Sequence, residues 1–158
     1  MIIGVLSDTH IPVRASRLPE PVVRALRKVD LILHAGDFIS LRVYEELQHL
    51  GRVEAVAGNM DDAEIAKFLP PLKEISLGGL TIGLTHGGGG CSDLPQRVRA
   101  RFRQDVDCVV FGHSHMPYNE RDGKTLLFNP GSTAFRPNQS YGILTVERGE
   151  ISGDIVYF

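Results

Sequence analysis

Apolar residues recur along the chain in short runs rich in β-branched side chains: Ile2 to Leu6, Leu31 to Leu33, Val53 to Ala57, Leu80 to Thr85 and Cys108 to Phe111. Their near-continuous apolar character predicts strands covered on both faces. The later runs Thr125 to Phe128, Tyr141 to Val146 and Ile151 to Tyr157 alternate more, and turn signals stand at Asp122-Gly123 and Arg148-Gly149. That combination predicts antiparallel hairpins. Helical stretches lie between the strands. Pro19 and Pro21 open one whose buried face is Val22, Val23, Leu26 and Val29. Ser40 caps a second from Leu41 to Leu50, stopped by Gly51. Asp61 or Asp62 caps a third, ended by Pro70-Pro71. A fourth runs from Ser92 to Gln104, with Leu94, Val98 and Phe102 four residues apart. The order is βαβαβα, a β-rich stretch, one more βα unit and a terminal run of strands. It predicts a layered α/β fold rather than a pure doubly wound sheet.

Length adds that 158 residues, without repeat or linker, suit one domain over 1–158. No apolar run is long enough to cross a bilayer. Met1 to Leu6 lacks a basic flank and reads as a buried strand rather than a signal peptide. Cys91 and Cys108 are far apart, which suits reduced thiols in the cytoplasm. A net charge of −2 makes the chain no polycation, and no aromatic-rich basic groove is visible. Both disfavour long nucleic acids as partners. Oligomeric state, including a homo-oligomer, stays open.

Chemistry enters through five polar clusters, each following an apolar run: Asp8-Thr9-His10, Gly36-Asp37, Gly58-Asn59, His86-Gly87 and Gly112-His113-Ser114-His115. Carboxyl ends of parallel strands share one edge, so clusters in the same relative position converge in space. Asp, Asn and His offer oxygen and imidazole ligands to divalent metals. Asp8 and His10 are two apart, as are His113 and His115. On extended backbone such pairs point the same way. The glycines beside them allow tight turns and close backbone approach. Seven ligands exceed the four of a tetrahedral ion and suit two ions sharing a carboxylate, for which Asp37 is the candidate. Two dications against Asp8 and Asp37 leave a surplus of about +2, which attracts phosphate and acidifies a bridging water. No serine or cysteine nucleophile is needed.

Asp-x-His, Gly-Asp, Gly-Asn, Thr-His-Gly and Gly-His-x-His, in this order, resemble the calcineurin-like metallophosphoesterase superfamily. The short chain, Asn129-Pro130-Gly131-Ser132 and the final strands resemble its compact YfcE-like phosphodiesterase branch. The resemblance implies two packed mixed β-sheets, a β-sandwich flanked by helices in four αββα layers. It implies one metal on Asp8, His10, Asp37 and His115, and another on Asp37, Asn59, His86 and His113. Manganese is the expected ion, with iron, nickel, zinc and cobalt as alternatives. A metal-bridging hydroxide would attack a small phosphate ester, with Asn59 steadying the phosphate. Two positions depart from the wider pattern. Met60 stands where many members carry a histidine that protonates the leaving group, so the general acid is unassigned. Gly88 stands where relatives often carry a further His. The same resemblance admits a second class, a protein-interaction scaffold like the retromer subunit Vps29; the filled ligand positions favour the enzyme.

The remaining polar residues read more plainly. His34 is expected to be a hydrogen-bonded core histidine, and His49 to sit at a helix C-terminus. Gly87 to Gly90 form either a phosphate cradle or a loose loop. Arg97, Arg99, Arg101 and Arg103 spread over several helix faces and read as solvated. Arg136 is within reach of substrate only if its loop turns inward.

Overall fold

A computed structural model describes residues 1–158. The first sheet contains β1 (Ile2–Leu6), β2 (Leu31–His34), β3 (Val53–Ala55), β9 (Ser140–Glu147) and β10 (Glu150–Tyr157), in the order β10-β9-β1-β2-β3. The second contains β4 (Leu72–Leu77), β5 (Leu80–Thr85), β6 (Cys108–Val110), β7 (Tyr118–Asp122) and β8 (Thr125–Asn129), in the order β4-β5-β6-β8-β7. Each sheet is mixed. β1, β2 and β3 run parallel, with Val5 opposite Leu33 and Leu33 opposite Glu54. β5, β6 and β8 run parallel as well, with Leu84 opposite Val110 and Val110 opposite Phe128. The hairpins β4–β5, β7–β8 and β9–β10 are antiparallel.

The sheets pack face to face. Ile3, Val5, Leu33 and Leu144 of one meet Ile82, Leu84, Val110 and Phe128 of the other. Gly142 and Gly153 make room for the Phe128 ring, since a Cβ at Gly153 would lie 2.5 Å from it. On the outer face of the first sheet lie α1 (Glu20–Leu26), α2 (Leu41–Gln48) and α3 (Ala63–Phe68), burying Val22, Leu26, Val43, Leu47 and Ile65. On the outer face of the second lies α4 (Leu94–Arg99) with Leu94 and Val98. The result is four layers, αββα, and no helix is long and apolar enough to cross a membrane.

Caps explain the helix starts. Ser40 Oγ accepts from Arg42 N at 3.4 Å, and Asp62 Oδ1 accepts from Ile65 N at 2.9 Å. Helix α4 is much shorter than its apolar spacing predicts. Beyond Arg99 the chain tightens, with Arg101 N and Phe102 N bonding three residues back. The Arg99 guanidinium then takes the carbonyls of Phe102, Arg103 and Gln104. Leu94, Val98 and Phe102 still share one apolar cluster, so the face survives although the helix ends. Strand β7 carries no legible apolar pattern, because four of its five residues are exposed, and β4, which the apolar runs also missed, buries only Ile75 and Leu77. At the β10 edge, Asn119 Nδ2 and Arg121 Nη2 of β7 donate to the carbonyls of Gly153 and Ile151, both at 2.6 Å. Those bonds occupy acceptors that would otherwise be open to edge pairing.

Candidate metal centre

The seven side chains sit just beyond the carboxyl ends of β1, β2, β3, β5 and β6. Loops from both sheets therefore meet at one end of the sandwich. Asp8, His10, Asp37 and His115 each offer one ligand atom, and all four atoms lie within 4.8 Å of one another. Asp37 Oδ2 is also 3.3 Å from His86 Nε2. Asn59 Oδ1 lies 3.1 Å from His86 Nε2 and 2.9 Å from His113 Nδ1. The structure thus brings together two adjacent clusters, with Asp37 between them.

The backbone achieves this differently from the extended pairs expected. Asp8, His10, Asp37, His113 and His115 all adopt positive φ, between 45° and 72°. Within Asp8-Thr9-His10 and His113-Ser114-His115 the outer residues are left-handed, and both side chains of each pair turn inward. L-residues adopt this region at a cost of roughly 1–2 kcal/mol each, and such strain collects at functional sites. Glycines permit the crowding. A Cβ on Gly36, itself at φ 91°, would lie 2.8 Å from Gly58 N. Cβ atoms on Gly58 and Gly112 would strike Asp37 and Ser7 respectively.

Hydrogen bonds aim the ligands. Asp8 Oδ2 accepts from Ser7 Oγ at 2.5 Å and from His113 N at 3.1 Å. Its Oδ1 is buried and has no hydrogen bond, although His115 Nε2 is 3.1 Å away and His10 Nε2 3.7 Å. His86 Nδ1 lies 2.7 Å from Ala35 O, so it carries the proton and the Nε2 lone pair faces the centre. His113 Nε2 meets Gly89 O at 2.9 Å and leaves Nδ1 facing Asn59. His10 Nε2 and His115 Nε2 stand 3.3 Å apart. Such convergence of acceptors around an orphaned buried carboxylate oxygen fits a cation, since a buried polar group otherwise needs a partner. Burial alone would raise the Asp8 carboxyl, but His10, His115, His86 and Ser7 outweigh it and hold it well below the carboxylate range. Burial likewise opposes the lowering at Asp37, where His86 and the Met60 N–H prevail. Burial would lower His86, yet Asp37 and Asp8 raise it.

Several residues that sequence reasoning placed elsewhere support the loops. Asp61 caps no helix: Oδ2 accepts from Gly58 N at 2.7 Å and Asp37 N at 3.2 Å, and Oδ1 from Ile39 N at 2.8 Å. Burial raises its pKa, against the pull of the Gly58 and Ile39 N–H groups. The Asn129-Pro130-Gly131-Ser132 stretch braces two ligand loops. Ser132 Oγ donates to Asp8 O at 2.6 Å, and Asn129 Nδ2 donates to Gly112 O at 2.9 Å. Arg97 and Arg99 of α4 are anchored, Arg97 donating to Gly88 O at 2.7 Å and Arg99 to Arg103 O at 2.9 Å; beyond the helix, Arg101 donates to Thr85 Oγ1 at 2.6 Å but stays exposed, and Arg103 is solvated as expected, paired only with Asp105. The glycine run is therefore a held loop, whose carbonyls are engaged by Arg97 and His113. Met60 binds Asp37 Oδ1 through its backbone N–H at 2.8 Å, and its side chain is exposed. His34 is fully buried, and His49 closes α2 with Nδ1 at 2.8 Å from Glu45 O.

The chain is similar to known proteins over nearly its whole length. Residues 1–149 match the model of the calcineurin-like phosphoesterase superfamily domain. A probable metallophosphoesterase of Methanothermobacter thermautotrophicus is 36% identical over 159 residues, covering 99% of this chain and 92% of that protein. The vacuolar protein sorting-associated protein 29 of Schizosaccharomyces pombe is 34% identical, covering 89% of this chain and 76% of that one. The solved structure of an archaeal phosphodiesterase superposes with a TM-score of 0.75 at 26% identity, covering 99% of this chain and 100% of the other.

Proposed function

Because this chain belongs to the calcineurin-like phosphoesterase superfamily, we propose that it is a metal-dependent hydrolase of a small phosphodiester. The observation that carries the reading is the buried Asp8 carboxylate, whose free Oδ1 faces imidazoles delivered by both sheets. Asp8, His10, Asp37 and His115 would hold one divalent ion, and Asp37, Asn59, His86 and His113 a second. Ions bound there would supply Lewis acidity, polarising a phosphoryl oxygen and bringing the pKa of water towards neutrality. Manganese is our choice, since mixed nitrogen and oxygen ligands accept it as they accept iron, nickel, zinc or cobalt.

The chain's own residues do the positioning. Ser7 and the His113 N–H keep Asp8 ionised and aimed. The Met60 N–H does the same for Asp37. Ala35 O and Gly89 O fix the rings of His86 and His113. Asn59, exposed at the mouth, is placed to steady a phosphate oxygen. Cys108 is buried and its thiol is pushed up by that burial, so it offers no thiolate. Met60 has no proton to give, so esters with acidic leaving groups react fastest. We extend the domain over 1–158 and place the protein in the cytoplasm, where its two free thiols stay reduced.

Purified protein with manganese should hydrolyse bis-p-nitrophenyl phosphate and lose this activity in EDTA. Asp37→Ala and Asn59→Ala should each slow turnover by more than about a hundredfold, as loss of a key electrostatic group does. Near-normal rates in either variant would count against the site. The likeness to vacuolar protein sorting-associated protein 29 favours a second reading, a protein-interaction scaffold. Metal binding without turnover would select it.

A further inference from the structure

The two halves of the centre are built alike but held differently. The His86 and His113 rings meet edge-on, with centres 5.3 Å apart at 87°. The His10 and His115 rings do the same, 5.1 Å apart at 82°. In the first pair a backbone carbonyl fixes each ring, Ala35 O at His86 Nδ1 and Gly89 O at His113 Nε2. In the second pair both Nε2 atoms face Asp8, and Nδ1 of neither ring meets a protein acceptor. An imidazole that ligates a metal ordinarily has its other nitrogen held by a carbonyl or carboxylate, which sets the orientation of the ring. The need is greatest at His115, whose side chain is 25% exposed.

Phe135 stands where those carbonyls are missing. Its ring lies 3.8 Å from the His115 ring, tilted by 38°, and 5.8 Å from the His10 ring at 70°. Aromatic rings at such separations attract through offset and edge contacts. Core packing does not account for the residue. Phe135 is half-buried and joins none of the three apolar clusters. The loop that carries it, between β8 and β9, is tied down. Ser140 closes it, donating from N to Ser132 O at 3.0 Å and from Oγ to Pro130 O at 2.7 Å. The Arg14 guanidinium carbon lies 4.5 Å from the ring centre, and Arg14 N donates to His10 O at 2.7 Å. Ser132 of the same loop donates to Asp8 O at 2.6 Å. One loop thus reaches Asp8, His10 and His115. None of its hydrogen bonds or ring contacts reaches Asn59, His86 or His113.

We propose that Phe135 is a positioning residue whose ring sets the His10 and His115 imidazoles, as Ala35 O and Gly89 O set the other two, and so serves one ion of the pair. The consequence for metal binding rests on the two-ion reading above. The role of the ring itself is measurable without metal.

The test reads nuclear Overhauser cross-peaks between imidazole ring protons in the metal-free full chain. The wild type should show both a His10–His115 and a His86–His113 cross-peak. Phe135→Leu keeps apolar bulk but no flat face; it should lose the first cross-peak and keep the second. Phe135→Tyr should keep both. A His10–His115 cross-peak that survives Phe135→Leu, or is absent from the wild type, would overturn the proposal. Joint loss of both cross-peaks would overturn it too, since the ring would then support the site as a whole. Calorimetric titration with manganese follows. Phe135→Leu should weaken one of two binding steps about tenfold and leave the other unchanged, as when a group orienting a ligand is lost. Equal weakening of both steps, or of neither, counts against the proposal. If the wild type takes up a single ion, the two-ion reading falls, and the cross-peaks alone decide the role of the ring.

Discussion

His34 is fully buried, and each of its ring nitrogens has a partner. Gly36 N donates to Nδ1 at 3.2 Å, so Nε2 carries the proton and meets Thr9 Oγ1 at 3.2 Å. Phe38 stacks on the ring at 3.5 Å. There is no room for a second proton, and burial pushes the imidazole pKa down to about 3 from its ordinary 6.5. Between those values the unfolded chain binds a proton that the native chain refuses. The stabilisation is therefore complete above the unfolded value and drains as pH falls towards the folded one. Between pH 6.5 and 4.5, the wild type should lose about 1.4 kcal/mol per pH unit more than His34→Gln, measured by urea unfolding at each pH. Equal slopes would show that His34 is not held neutral. A histidine at the end of an apolar strand was enough to suggest such a role. Asp61 shows the opposite case. Two aspartates before a helix look alike as caps, and only the folded chain shows that Asp62 caps while Asp61 reaches loops more than twenty residues away.

At the scale of elements, Asp61 joins the turn after β2 to the turn after β3, each of which delivers a ligand. Asp61→Ala would leave three N–H groups without their acceptor. Loss of bonds to a charged group costs about 1.5–3 kcal/mol each before relaxation. We expect a net loss of about 2–4 kcal/mol in urea unfolding of the metal-free protein, together with manganese binding weakened at least about tenfold, as when a group orienting a ligand is lost. Unchanged metal affinity would mean the two turns hold their shape without it. Element boundaries followed local chemistry where a cap was present, as at Ser40 and Asp62. They failed at α4, because Arg99 folds back on the next carbonyls. They failed at β7 because an edge strand wet on both faces has no apolar period to read.

At the scale of the whole molecule, the two sheets are keyed by one ring. Phe128, on β8, is fully buried and fits against Gly142 and Gly153 of β9 and β10. Glycines have no side chains to relax into a void, so Phe128→Ala should cost about 3–5 kcal/mol. The urea midpoint of the metal-free protein should fall with its slope unchanged; a loss below 1 kcal/mol would mean the sheets close over the gap. The same packing brings the loops of β1, β2 and β3 against those of β5 and β6, so the centre exists only where the sheets meet.

By itself the sequence determined the chemical types of the centre, the strands that carry them and the layered class of the fold. Those features are written in local order: an apolar run, a glycine, a polar ligand. Three things were decided only by tertiary structure. The paired ligands turn inward through left-handed backbone, which costs energy that only surrounding contacts can offset. Asp61, Asn129 and Ser132 became braces because their partners lie far away in the chain. Arg14 and Phe135, more than a hundred residues apart, met beside His115 because β9 returns to pair with β1. Long-range partners leave no period or spacing to read, since the physics that selects them acts only once the sheets have packed.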